Sequence, residues 1–286
     1  MHKFLRAIGF SDITKKDLEM ILDEVITRPE IMKITKDSEG NEFAELSGSF
    51  AANAGITVRG TYQEDDSFHM DYYYPYVFGT SITTNEQIDV EKHAEKESYA
   101  GVCDEVNLGV TLIFYIQNVA DYLAETNRHL SKIHYGAMLA GLSTEGKILC
   151  PVVERKKNDV PAIQKNDRHN QLIAQAREGD EDAIESLTLE DMDTYALLSQ
   201  RVMKEDIFSI VKSTFMPFGI ESDQYTVLGE IIDCVTMENK LTHEKLYGMK
   251  LLCNNIQFDV CINEKDLLGE PAIGRRFRGN VWMQGN

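Results

Sequence analysis

The chain has 286 residues, of which 43% are hydrophobic and 27% are charged, and these proportions are ordinary for a soluble globular protein. Its formal net charge is -18 at pH 7, so its surface should repel phosphate backbones and anionic membranes. No run of about 18 apolar residues occurs, which predicts that no segment crosses a membrane. The N-terminus lacks the apolar stretch of a secretory signal, and we therefore expect a cytoplasmic protein.

The first element in chain order is a predicted helix that starts after Thr14. Thr14 is the predicted N-cap, and Asp17 stands at the capping-box position three residues later. Pro29 predicts where the helix ends. The apolar side chains between these signals recur with helical spacing, at Leu18, Ile21, Leu22 and Val25.

From about residue 31 the apolar residues alternate with a period of two, which is typical of β-strands. Short turns separate the strand-like runs EIMKIT, NEFAELSGSFA, GITVRGTYQ, SFHMDYYYPYVFG, QIDVEKH, ESYAGVCDE and GVTLIFYIQ. Consecutive strands joined in this way predict an antiparallel meander sheet. Asn118 is the predicted N-cap of a second helix, and two more strand-like runs end near residue 152. We therefore predict an α+β domain in residues 1–152, with helices flanking the sheet.

Residues 153–205 are predicted to connect two domains. The first part, to about residue 167, is polar and charged as in a linker, and helical patterns follow it. Residues 178–200 contain eight acidic residues and no basic one. Acids cluster where predicted helices begin, a position that the helix dipole favours. The alternative is that this acidic helical segment docks on a basic partner.

Residues 206–286 are predicted to form a small β-barrel domain. The clear strand-like runs are QYTVLGEII, KLYGMKLLC, IQFDVCIN and RRFRGNVWMQ. Each run has one apolar face, and closure into a barrel would remove the exposed sheet edges. The size suits an OB-like or an SH3-like barrel, and the number of strands does not choose between them.

The last of these runs contains the main candidate binding residues. The preceding GEPAIGRR has the glycine spacing of a phosphate loop, but it lacks the following Lys-Ser/Thr and leads into a strand rather than a helix. We interpret it as a turn. With the apolar residues of the strand facing inward, Arg276, Arg278 and Trp282 share its outer face. Such a face is typical of docking to a second domain or subunit, of a small anionic ligand, or of single-stranded nucleic acid, which the net charge disfavours.

A second candidate group lies in the aromatic run FHMDYYYPYVFG. His69, Asp71 and Tyr73 alternate to one face of the predicted strand, and a carboxylate there could orient an imidazole for acid–base chemistry. The simpler interpretation is that the aromatic side chains belong to the core. Pro75 predicts an edge position or a bulge.

Five cysteines are scattered along the chain without any Cys-x-x-Cys pair, at Cys103, Cys150, Cys234, Cys253 and Cys261. This odd set predicts neither a disulfide framework nor a cysteine zinc site, but reduced thiols that act as small core residues. The histidines also lack metal-ligand spacing, so the sequence predicts no metal and no cofactor.

Three phrases carry a resemblance to a known family. They are the opening MHKFLRAIGF, the internal MPFGIESDQYTVLGEI and the closing FDVCINEKDLLGEPAIGRRFRGNVWMQG. Together they resemble domain of unknown function 3881, a family of proteins from anaerobic Gram-positive bacteria. The resemblance runs along the whole chain and implies that the barrel and the N-terminal sheet work as one body. It implies no activity, cofactor or catalytic residue.

These observations lead to three functional hypotheses. The first is an uncharacterised, non-enzymatic protein that binds a protein partner or associates with itself, since no catalytic motif occurs and Arg276, Arg278 and Trp282 form a candidate binding face. The second is an enzyme of unrecognised type that acts on a small anionic ligand. The third is an OB-like module that binds single-stranded nucleic acid.

Overall fold

The structure, a computed structural model, describes residues 1–92, 96–128, 134–152, 211–220 and 222–286, together with residues 172, 175, 180 and 182–188. Its elements in chain order are a 3₁₀ helix (Lys3–Ile8), α1 (Lys15–Thr27), β1 (Ile31–Lys36), β2 (Glu42–Ala51), β3 (Ala54–Tyr62), β4 (Phe68–Val77), β5 (Thr84–Lys92), β6 (Tyr99–Glu105), β7 (Val110–Ile116), α2 (Val119–Asn127), β8 (His134–Ala137), β9 (Leu139–Leu149), β10 (Thr214–Pro217), β11 (Gln224–Glu238), β12 (Lys245–Cys253), β13 (Ile256–Asn263), a second 3₁₀ helix (Glu264–Asp266), β14 (Leu267–Leu268) and β15 (Arg276–Gly285).

The first helix has the ends that its sequence predicts. Helix α1 begins after Thr14, whose side chain accepts a hydrogen bond from the backbone N–H of Asp17. It ends two residues before Pro29. Its apolar face packs against β2 and β3. The buried side chains of that face are Leu18, Leu22 and Val25.

Strands β1 to β4 form a four-stranded antiparallel sheet in sequential order, which confirms the meander at the N-terminus. Strand β4 is at the edge of this sheet, one of the two positions that Pro75 predicts. The pairing of β3 with β4 is interrupted, because Arg59 lies opposite Tyr72 whereas Gly60 lies opposite Met70. Asp71 is therefore the extra residue of a β-bulge.

The predicted meander does not continue beyond β4. Strand β5 pairs with β6 and β8, and β7 pairs with β6 and, in parallel, with the end of β15. The strands of residues 1–152 are thus divided between the four-stranded sheet and a second, larger sheet. Local alternation predicts each strand but not its partner, so it could not reveal this division.

The larger sheet contains a small closed barrel, as the sequence predicts. The ring of neighbours is β11, β12, β13, β9, β15 and again β11. Strand β9 comes from residues 139–149, so the strand pairing crosses the predicted domain boundary at residue 152. The division into domains at 1–152, 153–205 and 206–286 stays a prediction, and so does the OB-like or SH3-like type.

The described part of the chain is mostly β-structure, with few helices. The predicted linker and acidic helical connector lie outside the described residues, except for residues 172, 175, 180 and 182–188, all of which but residue 180 are helical. Among the helices that the structure defines, none is long and apolar enough to cross a membrane.

Two hydrophobic clusters hold the molecule together. One fills the barrel and continues under β5 to β8 and α2. The other lies between the four-stranded sheet, α1, the N-terminal 3₁₀ helix and the outer face of the barrel. The barrel contributes five buried residues to this second cluster, namely Ala140, Leu142, Leu246, Cys261 and Trp282. One outer face of the barrel is therefore an internal surface of the molecule.

Buried asparagines hold the N-terminal 3₁₀ helix on the barrel. Asn239 donates from Nδ2 to the backbone carbonyl of Ile8 at 2.7 Å, and Asn263 donates to that of Arg6 at 3.1 Å. Both asparagines are fully buried. Asn239 satisfies the carbonyl of Ile8 at the helix end, whereas the carbonyl of Arg6 also accepts from the backbone N–H of Gly9 at 3.1 Å.

Candidate functional site

The outer face of β15 is the site that the sequence predicts. The hydrophobic cluster that fills the barrel, which we call the barrel cluster, contains Phe277, Val281 and Met283. This placement is the one that the alternation of the predicted strand requires. The structure separates the candidates on the opposite face, because each of them meets a different part of the chain.

Arg276 is a buried structural contact. Only 5% of it is exposed, and burial lowers the pKa of its guanidinium. Its Nε donates to the carbonyl of Cys150 at 2.9 Å, and its Nη1 donates to that of Val211 at 2.6 Å. These two residues flank the predicted connector. Arg276 therefore joins the points where the connector leaves the barrel and returns to it.

Trp282 is covered by the N-terminal segment. Its ring centroid lies 4.9 Å from that of His2, 5.3 Å from that of Phe4 and 5.3 Å from that of Tyr115. Its Nε1 donates to Asp223 at 2.7 Å, and only 6% of the residue is exposed. Little ring surface is left for a nucleobase, and Trp282 serves as a contact between the barrel and the N-terminal segment.

Arg278 is the candidate that remains at the surface. In the register of β15 with β9 it lies directly opposite Lys147. Both side chains line a groove of about 370 Å³ on the barrel, which we call the basic groove. Phe218 and Leu268, which are 42% and 74% exposed, form its apolar walls.

Polar contacts order the other lining residues of the basic groove. The hydroxyl of Thr226 donates to Oδ1 of Asn280 at 2.7 Å, and Nδ2 of Asn280 donates to the carboxylate of Glu145. The charged side chains that line the groove are therefore Lys147, Arg278 and Glu145, so its cations outnumber its anions by one. Like charges directly opposite on neighbouring strands repel each other, so an anion placed between them would be attracted by both.

The structure places the three residues of the second predicted group in different surroundings. His69 is exposed and lies opposite Thr61, whereas Asp71 is the bulge residue and its backbone carbonyl accepts from Lys96 at 2.7 Å. The hydroxyl of Tyr73 accepts from the backbone N–H of His2 at 3.2 Å. The bulge breaks the alternation on which the predicted His69–Asp71 pair depended.

The sequence analysis missed a charged centre between the two sheets. Arg59 is fully buried, and its Nε donates to Oε1 of Glu45 at 2.7 Å. Desolvation opposes the charge of Arg59, but its neighbours Tyr115, Tyr74 and Glu45 raise its pKa well above the ordinary value. Its other acceptors, at 2.7–3.1 Å, are the hydroxyls of Tyr72, Tyr74 and Tyr115 and the carbonyls of Ile116 and Gln117.

This centre is structural rather than catalytic. All three nitrogens of Arg59 donate to protein groups, so its five N–H donors are committed. The other oxygen of Glu45 accepts from the backbone N–H of Ala120 at 2.9 Å. Glu45 therefore caps α2, whereas the predicted cap Asn118 makes no side-chain capping bond. A signal was present, because Glu45 and Arg59 are charged residues opposite each other in the predicted hairpin.

None of the cysteines whose pKa is shifted has a thiol activated by a lowered pKa. Burial raises the pKa of Cys103 to about 11 and those of Cys253 and Cys261 to about 12, so these thiols stay protonated at neutral pH. Cys150 is exposed rather than in the core, which corrects the prediction for that residue. Within the described ranges, no group of three or more His, Cys, Asp or Glu side chains could hold a metal ion.

Comparison with known proteins gives a family but no activity. No curated protein and no solved structure matches the chain. The model of a family described as a domain of unknown function, from an E. rectale gene description, matches residues 5–285. That match includes the four-stranded sheet, the barrel and all three residues of the predicted outer face. The chain belongs to the DUF3881 family.

Proposed function

We propose that this protein is a non-enzymatic binding protein that takes an acidic segment of a protein partner in the basic groove. The observation that carries the proposal is the pair Lys147 and Arg278, opposite each other and flanked by the exposed apolar side chains Phe218 and Leu268. A carboxylate beside an apolar side chain would match both parts of this surface.

Because the whole molecule is acidic, the Lys147–Arg278 pair should bind only those acidic segments that reach the groove directly. The net charge is -18, so an acidic partner is repelled at long range. Salt screens that repulsion beyond about 8 Å at physiological ionic strength, whereas contacts within the groove are shorter. Binding should therefore depend on a segment that reaches the groove and not on general attraction between the two proteins.

The alternative functions receive less support from the geometry. The groove holds no pair of groups arranged as nucleophile and base, since Thr226 and Glu145 are both hydrogen-bonded to Asn280. The predicted nucleic-acid face depended on an open Trp282 ring, and Trp282 is covered. The net charge of -18 also disfavours a nucleic-acid partner. If the protein is instead an enzyme that acts on a small anion, Lys147 and Arg278 remain the residues expected to bind that anion. Location in the cytoplasm stays a prediction.

The test uses the full chain and a fluorescent peptide of alternating Glu and Leu, with a Gln-for-Glu peptide as its neutral match. Fluorescence anisotropy should show binding of the acidic peptide, and the K147E/R278E variant should weaken it about tenfold or more, since two charge-assisted contacts are lost. The variant K15E/K16E has the same net charge but alters exposed lysines at the start of α1, and it should bind as the wild type does.

Two outcomes would contradict this proposal. If K147E/R278E and K15E/K16E bind the acidic peptide equally well, the basic groove is not the site that recognises it. Calorimetric binding of citrate with no binding of the acidic peptide would favour the small-anion alternative. Size-exclusion chromatography of the same variants reports whether the partner is a second copy of the chain, because then only K147E/R278E should shift toward monomer.

A further inference from the structure

Strand β1 is an open edge of the four-stranded sheet. In the described part of the chain it pairs with β2 alone. Three of its six residues are large apolar side chains that are about half exposed, namely Ile31 at 45%, Met32 at 49% and Ile34 at 46%. An exposed edge of this kind is a place where another chain can add a strand.

The backbone of β1 offers hydrogen-bonding groups at this edge. The N–H of Asp37, just beyond β1, donates at 3.0 Å to the residue that faces it in the hairpin, so the odd-numbered residues are those that bond to β2. The even-numbered residues direct their N–H and C=O groups away from β2. The C=O of Lys36 does so, since it accepts from Nδ2 of Asn127 on α2 at 2.9 Å. By the same alternation, the backbone groups of Met32 and Ile34 point to the free edge.

A groove lies between this edge and α2. Its volume is about 530 Å³, and we call it the edge groove. Strand β1 and helix α2 are held together beside it, because Lys33 pairs with Asp121 at 2.6 Å. The residues that β1 and α2 contribute to its lining are Ile34, Thr35, Lys36, Ala124, Asn127 and Arg128. A strand added to β1 would therefore have a helix beside it to contact its side chains.

The charges of the edge groove favour a segment with one carboxylate. The charged side chains that line the groove are Lys36, Arg128 and Glu42, so its cations outnumber its anions by one. Glu42 lies opposite Lys36 in the register of β1 with β2, whereas Arg128 is exposed at the C-terminal end of α2. One carboxylate of an added strand would balance this excess.

We propose that the edge groove binds an extended segment of a protein partner, which adds to the four-stranded sheet as a fifth strand beside β1. Its backbone would bond to the N–H and C=O groups of Met32 and Ile34, and its apolar side chains would cover those two residues. Its carboxylate would lie near Lys36 and Arg128. This surface is separate from the basic groove, so the protein would have two binding surfaces.

A second copy of the chain fits this edge less well than a different protein. An antiparallel pair of β1 strands that joins Met32 of one copy to Ile34 of the other would place Lys33 opposite Lys33, and like charges directly opposite repel each other. Registers centred on Met32 or on Ile34 would use the N–H of Glu30 or the C=O of Lys36, respectively. Both of these groups are already hydrogen-bonded.

The test uses the full chain and a fluorescent peptide of sequence Glu-Val-Thr-Val-Thr-Val, whose β-branched residues favour an extended strand. Fluorescence anisotropy should show binding. The same peptide with N-methylated backbone amides should bind about tenfold or more weakly, because it cannot donate to the edge. In hydrogen exchange followed by NMR, bound peptide should slow the amides of Met32 and Ile34 about tenfold or more and leave that of Lys33 unchanged.

The backbone variant is I34P, which removes one outward N–H. Proline is tolerated on an edge strand where the N–H faces away from the neighbouring strand, and circular dichroism checks that the variant folds. I34P should weaken peptide binding by about fivefold or more. The matched control I34V keeps the N–H and an apolar side chain, and it should bind as the wild type does.

The charge variant is K36E/R128E, which should lose the preference for this peptide over its Gln-for-Glu match. K15E/K16E has the same net charge and should keep that preference. K147E/R278E should bind the peptide as the wild type does, which separates the edge groove from the basic groove.

The proposal is overturned if the N-methylated peptide binds as well as its parent, if the amides of Met32 and Ile34 are not slowed, or if I34P and I34V bind equally. A wild-type dimer that I34P converts to monomer in size-exclusion chromatography would also overturn it, because a second copy would then occupy the edge. If I34P does not fold, hydrogen exchange in the wild type decides the question.

Discussion

Arg59 shows how much one buried residue determines in this molecule. It joins β3 to β2 through Glu45, to β4 through Tyr72 and to β7 through Tyr115. A buried ion pair is weak support for stability by itself, because both charges lose hydration. Removal of only one partner is different, since it leaves a charge buried without compensation.

We therefore predict that R59M lowers the free energy of unfolding by about 3–5 kcal/mol, because the carboxylate of Glu45 remains buried and unpaired. Urea unfolding followed by circular dichroism measures this change. The double variant R59M/E45M should be no less stable than R59M, since it removes both charges. The exposed change R28M is the control and should stay within about 0.5 kcal/mol of the wild type. A small effect of R59M would show that water reaches the centre.

His2 provides a prediction on pH at the same scale. Burial, with smaller contributions from the nearby positive charges of Lys3 and the N-terminus, lowers the pKa of His2 to about 4 from an ordinary value of 6.5. Between these values the unfolded chain binds a proton at His2 and the folded chain does not. Stability from this residue is therefore complete above pH 6.5 and is lost as the pH falls toward 4.

We expect acid to loosen the N-terminal segment from the ring of Trp282. The fluorescence of this single tryptophan should change between pH 6.5 and 4 in the wild type. In H2N the difference should disappear, because asparagine cannot take up the proton but can still act as an N-cap. An identical pH profile for wild type and H2N would assign the change to other groups, such as the carboxylates of Glu97 and Glu244, whose pKa is lowered in the folded state.

At the scale of elements, the pairing of β9 with β15 depends on two facing glycines. Gly146 lies opposite Gly279, and the ring of Phe277 packs against both. A Cβ on Gly279 would lie 2.5 Å from the backbone oxygen of Glu145 and from the Phe277 ring. The backbone atom cannot move without disturbing β9.

G279A should therefore destabilise the barrel by about 1–3 kcal/mol, which is the usual cost of overpacking a well-packed interior. Thermal and urea unfolding measure the loss. The control Q257A changes an exposed position on β13 and should stay within about 0.5 kcal/mol of the wild type. Wild-type stability in G279A would mean that β9 and β15 can separate at this point without loss.

At the scale of the whole molecule, the barrel is not contained in the C-terminal part of the sequence. Strand β9 pairs with β13 on one side and with β15 on the other, so it closes the ring. Residues 206–286 lack this strand. Arg276 bonds to the carbonyls of Cys150 and Val211, so the chain re-enters the barrel beside the point where it left.

We predict that a fragment of residues 206–286 does not fold, because β13 and β15 would keep unpaired edges and the barrel cluster would be open. A fragment of residues 136–286 includes β9 and should give dispersed amide resonances and a cooperative unfolding transition. Two-dimensional NMR of both fragments makes the comparison. A folded 206–286 fragment would support the predicted domain boundaries instead.

The sequence by itself determined the local elements. Capping residues and helical spacing predicted α1, and the alternation of apolar residues predicted β12 and β13 with the bounds that the structure has. It also predicted which face of β15 enters the core. These features depend on interactions between residues close in the chain, and such interactions can be read from spacing alone.

Only the tertiary structure decided which strands are neighbours and what each outer residue meets. Arg276, Arg278 and Trp282 look equivalent in sequence, but the structure places them differently. Arg276 bonds to Cys150 and Val211 on either side of the connector, Arg278 lies opposite Lys147 on β9, and Trp282 stacks on the N-terminal 3₁₀ helix. The Asp71 bulge and the role of β9 are equally invisible in local patterns. The physical reason is that alternation specifies a face of a strand, whereas the partner of that face is selected by packing between residues far apart in the chain.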